Sequence, residues 1–203
     1  MSEPIEPGDR GGADPASEQR RRNALLEAEA LGLRRFARAL ARDPDAAADL
    51  VQDTLAQALK AWGQWRGDGP LRAWLFVIMR NLNRRGAARE ARWRAIAPPR
   101  HEDEDTMEDP IEARVAAPAG VDPVYLREVA DAVASLPEDQ RETLVLVAVE
   151  GLSYQEAADV IGAPIGTVMS RLSRARARVR AATDPDGVGA RATSRPDDRR
   201  PRR

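Results

Sequence analysis

Apolar side chains recur along this chain at steps of three and four, the spacing that places them on one face of an α-helix, in two separate stretches. In the first, Leu33, Phe36, Ala37 and Leu40 mark a helix over about 24–41. Asp43 and Pro44 then read as the N-cap and first position of a second helix carrying Leu50, Val51, Leu55, Leu59 and Trp62. After the loop Arg66-Gly67-Asp68-Gly69, Pro70 opens a third helix with Leu71, Trp74, Leu75, Ile78 and Leu82 on its inner side. In the second stretch, Asp122-Pro123 starts a helix through Val129 and Val133. Leu136-Pro137 starts another through Leu144 and Val147 to Glu150, where Gly151 breaks it. Ser153 and Glu156 form a capping box for a short helix with Ala157, Ala158 and Ile161. Gly162 then turns the chain, and Pro164 opens a last helix with Ile165, Val168, Leu172, Ala175 and Val179 inward. Nothing alternates with the period of a strand, so the expected fold is all-α: two small helical domains, the second laid out as a helix-turn-helix.

Between and around these blocks the apolar period disappears. Residues 1–22 and 183–203 read as disordered tails. Residues 94–122 read as a flexible acidic, proline-rich linker between domains spanning 23–93 and 123–182. Charge sharpens the division. Residues 20–97 carry sixteen basic and eight acidic side chains, residues 98–123 two basic and eight acidic, and 166–182 five arginines and no acid. Two basic surfaces flanking an acidic strap suit a protein that binds a polyanion selectively.

Composition removes several classes of function. The chain has no cysteine and one histidine, His101, so thiolate and histidine metal sites are excluded and no metal or cofactor is expected. Lys60, the only lysine, follows leucine, so there is no P-loop, and neither G-x-S-x-G nor H-E-x-x-H occurs, which leaves no enzyme motif. No run of eighteen apolar residues exists, so membrane insertion is not expected, and the polar N-terminus gives no export signal.

On the last helix the inward stripe fixes what faces outward. A helix-turn-helix reads DNA with the start of its second helix, so Gly166, Thr167, Met169, Ser170 and Arg171 are candidates for base edges, with Arg174, Arg176 and Arg178 placed to hold phosphates. The alternative is an arginine-rich helix that simply faces solvent.

Several segments resemble the extracytoplasmic-function (ECF) group of bacterial sigma factors. In the first block these are Asp49-Leu50-Val51-Gln52-Asp53-Thr54, Trp65-Arg66-Gly67, Ala73-Trp74-Leu75-Phe76 and Arg80-Asn81-Leu82. In the second they are Leu136-Pro137 to Arg141, Gly151 to Ala158 and Gly166 to Leu172. The resemblance implies a dissociable promoter-specificity subunit that binds core RNA polymerase and promoter DNA in the cytoplasm. It also implies a region 2 domain for the minus-ten element, a region 4 domain for the minus-thirty-five element, and control by an anti-sigma factor. On this resemblance Asp49, Leu50, Gln52 and Asp53 dock on polymerase; a solvated acidic face is the plainer reading of Asp49 and Asp53. Arg66, Gly67, Asp68 and Leu71 form the loop that captures a flipped base, with Arg80, Asn81, Arg84 and Arg85 on the following helix. Met169 stands where the family usually has lysine, and no aspartate follows the asparagine helix at Asn83-Arg84-Arg85-Gly86. Two rival readings are a sigma-like decoy that binds an anti-sigma factor without touching DNA, and a plain helix-turn-helix regulator. The first should lack the arginine face of the last helix, and the second leaves the first block without a purpose.

Overall fold

The computed structural model describes residues 14–41, 43–65, 67, 69–96 and 122–184. The expectations for the tails beyond these limits, for the linker over 97–121 and for Arg66 and Asp68 fall outside the described residues. Seven α-helices occur among the described residues: α1 (Pro15–Leu40), α2 (Pro44–Lys60), α3 (Leu71–Ile96), α4 (Pro123–Ala134), α5 (Glu138–Leu144), α6 (Tyr154–Ile161) and α7 (Ile165–Thr183). No strand is present among them.

The helix starts follow local chemistry. Asp43 accepts a hydrogen bond from the Ala46 amide at 2.8 Å, and Asp122 from that of Val124 at 2.9 Å, each followed by proline at the first helical position. Asp14 caps α1 in the same way through Ala16, so the helix begins at Pro15 rather than inside an unstructured stretch reaching residue 22. A capping aspartate before proline is the signal for that start, although the apolar period does not reach so far. The capping box before α6 is complete: Ser153 Oγ accepts from the Glu156 amide at 3.2 Å, and Glu156 accepts from the Ser153 amide at 2.7 Å. Gly162 adopts φ 66°, the left-handed conformation that ends α6 without a Cβ penalty.

Helices α1, α2 and α3 pack on one another around Leu33, Phe36, Ala37, Val51, Ala58, Leu75, Phe76 and Met79, with the Phe36 and Phe76 rings 4.6 Å apart. In the second block α7 lies against α4, α5 and α6. The two blocks, legible in the sequence as separate, share one core: α3 packs on α6, and α1 on α5 and the turn that follows it. That contact explains where the periodicity misleads. Phe76 and Met79 are fully buried while Trp74 and Ile78 are only half-buried, because α3 touches helices of both blocks and buries more than one stripe. Leu59 and Ile165, expected inward, are about 40% exposed. Each lies at an edge of its helix's apolar stripe rather than at its centre.

Helix α5 does not run on regularly to Glu150. Val145–Val149 form a π-helical turn, which the Glu150 amide closes on the Val145 carbonyl at 2.9 Å. The wider turn brings Glu150 inward, where the first block covers it.

Candidate nucleic-acid interface

Helix α7 carries the reading face expected of it. Val168, Leu172 and Ala175 are buried, while Gly166, Met169, Ser170, Arg174 and Arg178 are exposed. Thr167 is half-buried, and its carbonyl accepts from the Ser170 hydroxyl at 2.9 Å. Arg171 differs from the other candidates. Its Nε lies 3.1 Å from Asp139 of α5, so its guanidinium is held beside the helix rather than projected from it.

In the first block, Asn81, Arg84 and Arg85 line a shallow groove on α3 together with Arg92. Gly67 is exposed at φ 74°, a turn conformation that favours glycine. Leu71 is half-buried and packs against the core. Arg80 does not join Asn81 in the groove. It donates from Nε to Glu142 of α5 in the other block. On α2, Asp49, Gln52 and Asp53 are exposed along one side while Leu50 packs inward. The tryptophans divide cleanly: Trp62 packs against Trp65 at a tilt and against Trp74 edge-on, with ring centroids 5.2 and 6.3 Å away, whereas Trp93 stands 68% exposed near the end of α3.

Periodicity did not point to the polar contacts between the blocks. The Glu150 side chain is fully buried and accepts from Arg35 Nε at 2.6 Å and from Arg35 Nη2 at 3.0 Å, a two-pronged pairing of guanidinium and carboxylate. Arg72 reaches the same carboxylate at 3.5 Å and also pairs with Glu29. The hydrogen bond to Glu150 raises the pKa of Arg35 above its ordinary value. Burial pushes the Glu142 carboxyl up, only partly offset by Arg80. Such partners lie from 62 to 115 residues apart, beyond the reach of any local pattern. An acid immediately before a helix-breaking glycine, Glu150-Gly151, is the one local sign the sequence carries.

Comparison with known proteins gives these surfaces a context. Residues 126–179 match the family model for sigma-70 region 4, and residues 26–80 that for the sigma2 domain of PhyR. The ECF RNA polymerase sigma factor EcfG of Rhodopseudomonas palustris is 36% identical over 77% of this chain and 81% of its own length. The chain belongs to the ECF RNA polymerase sigma factors. A second member, the probable RNA polymerase sigma-C factor of Mycobacterium bovis, is 33% identical over 72% of this chain and 75% of that one. Among solved structures, the sigma factor RpoE in complex with the anti-sigma factor NepR from Bartonella quintana superposes with a TM-score of 0.64. It shares 32% identity and covers 83% of this chain and 98% of that one. In this ECF sigma factor, α1 to α3 hold the sigma2 match, and α4 to α7 the region 4 match. No helix among the described residues is long and apolar enough to cross a membrane.

Proposed function

We propose that this ECF sigma factor directs core RNA polymerase to particular promoters and promotes initiation by recognising and melting promoter DNA, under the control of an anti-sigma factor. The observation that carries the reading is the presence, in order on one chain, of a sigma2 block and a region 4 block whose α7 keeps Arg174 and Arg178 exposed. A decoy that never touched DNA would have no use for that face, and a plain regulator none for the first block.

Region 4 holds the minus-thirty-five element through the start of α7, with Gly166, Met169 and Ser170 at base edges and Arg174 and Arg178 on phosphates. Thr167 and Arg171 act from the flank of that helix. Region 2 holds the melted minus-ten strand in the groove of Asn81, Arg84 and Arg85, an amide for a base edge and guanidinium groups for the single-stranded backbone. The loop of Arg66, Gly67 and Asp68 receives the flipped base, with Leu71 and Arg80 beside it. Melting needs no bond-making, so the protein is not an enzyme; binding the open strand more tightly than the duplex shifts the equilibrium. Asp49, Gln52 and Asp53 dock on polymerase over the packed Leu50. The protein works in the cytoplasm, where polymerase is. The two domains are those of α1 to α3 (Pro15–Ile96) and α4 to α7 (Pro123–Thr183), with the acidic segment between them as the linker.

Run-off transcription with purified core polymerase over genomic fragments tests the reading. Specific starts that require this chain are expected. Starts equally frequent without it overturn the proposal.

A further inference from the structure

Helix α3 outruns the block it belongs to. The sigma2 match ends at residue 80, yet the helix continues to Ile96, and every residue from Arg84 to Trp93 is exposed. Over 81–96 the sequence holds five arginines and a single acid, Glu90. Arg84, Arg85 and Arg89 make no described hydrogen bond or ion pair, and Arg92 commits only its Nε, to the Ala88 carbonyl at 3.2 Å. Trp93 stands at the end of this basic run, more exposed than any other large apolar side chain among the described residues. The other three tryptophans pack on one another.

Spacing turns these residues into a track. Arg85, Arg89 and Trp93 follow one another at steps of four, so they form one row on the helix surface, and the row starts beside the groove of Asn81, Arg84 and Arg85. Helical side chains lean toward the preceding turn, and Trp93 lines a hollow there with Gly86, Arg89 and Glu90. A Cβ at Gly86 would meet nothing within 4 Å, so packing does not require glycine, although glycine inside a helix is less stable than alanine. Its missing side chain leaves room beside the indole for a flat group. An exposed indole beside a row of cations suits unpaired nucleic acid, whose phosphates take guanidinium groups and whose bases offer flat faces to a ring. Within a duplex those faces are stacked on each other and only base edges are presented, so the ring has no partner there. A lipid surface fits poorly, because alanine is the only other apolar residue type over 84–93.

We infer that the last turns of α3 form a stacking site for single-stranded DNA, in which Arg85, Arg89 and Arg92 hold the backbone and Trp93 stacks on an unpaired base. The site lengthens the groove at Asn81 to a track of about 18 Å at about 1.5 Å per residue. Its setting, a strand opened at a promoter, rests on the proposed function; the affinity for unpaired DNA is a property of the helix itself.

Fluorescence anisotropy of a labelled oligodeoxythymidine of about twenty nucleotides tests the site, with the full-length chain alone and bound to core polymerase. Trp93→Ala is expected to weaken binding about tenfold, and Trp93→Tyr to keep it within about twofold of wild type. On an abasic strand, which retains every phosphate, wild type and Trp93→Ala should bind alike, as they should on a duplex of the same length. Arg89→Ala should weaken binding to the intact and the abasic strand equally and lower the salt slope by about 0.7. Equal affinity of wild type and Trp93→Ala for the intact strand overturns the inference. So does an equal loss on intact and abasic strands, and so does a wild type that binds the intact strand in neither form. Run-off transcription separates this result from the sigma-factor reading: a chain that stacks on the strand but directs no specific starts sinks that reading and upholds the site, and one that directs starts while Trp93→Ala binds the strand unchanged does the reverse.

Discussion

Arg141 Nε donates to the Ala39 carbonyl across the joint between the two blocks, 2.7 Å away and buried. The same guanidinium reaches the Leu136 and Ala134 carbonyls at 3.0 and 3.2 Å, so one side chain closes the C-terminal end of α4 and fastens it to α1. An ammonium cannot reproduce that fork. Arg141→Lys is expected to lower the unfolding free energy by about 1.5–3 kcal/mol, the usual worth of buried hydrogen bonds to a charged donor. Urea denaturation checks this, and a loss below 0.5 kcal/mol (on the order of a neutral surface change) would contradict it.

Arg174 is exposed on the outer side of α7 and makes no described ion pair, as a phosphate-holding residue should. Arg174→Ala should weaken binding to all promoter sequences alike and flatten the slope of log affinity against log salt by about one unit. A filter-binding titration with polymerase holoenzyme measures that slope, and an unchanged value rules out the contact.

Asp53 and Asp49 lie one helical turn apart on the exposed side of α2. Asp53→Arg reverses a charge in the proposed polymerase contact and should weaken co-purification with core polymerase about tenfold, equivalent to about 1.4 kcal/mol. Wild-type recovery would leave these two acids as an ordinary solvated face.

Burial raises the pKa of Glu142 above its unfolded value, so the folded chain binds this proton more readily than the unfolded one does. The contribution of Glu142 to stability is therefore greatest in acid and declines as pH rises through the raised pKa. Glu142→Gln removes the titration. Wild-type stability relative to this variant should fall as pH rises above the ordinary glutamate value of 4.5, read from thermal midpoints, and two parallel curves would refute the assignment.

Glu156 titrates in the opposite sense, because its bonds to the Ser153 hydroxyl and amide lower its pKa. The stability that the capping box supplies is present above the unfolded pKa and is lost as pH falls through the lowered one. Glu156→Ala should cost about 1 kcal/mol at neutral pH and less in acid, measured by urea unfolding. Equal costs at both pH values would show that the reciprocal bond contributes nothing.

Local chemistry made much of this molecule readable in advance. Asp43-Pro44, Asp122-Pro123 and the Ser153 box fix helix starts through atoms two or three residues away, and the stripe Leu33, Phe36, Ala37 and Leu40 is buried as its spacing predicts. The exposed face of α7 follows from the same arithmetic. What periodicity could not convey is how the blocks meet. Helix α3 packs against helices of two different blocks, Arg80 is diverted by an acid 62 residues further on, and Glu150 follows a π-helical turn that no residue type announces. These are long-range events, and each depends on a partner that local spacing does not identify.

The five residues Val145–Val149 act as a phase shifter between two rigid parts. Rewinding the five as ordinary α-helix, with none removed, would swing everything downstream by about 100° around the helix axis, because the wide turn holds one residue more than an α-turn. The carboxylate of Glu150 would then leave its two arginines although no contact within either block had been touched. Removing one residue while rewinding restores the phase, so a single-codon deletion should be tolerated in this turn better than a single-codon insertion.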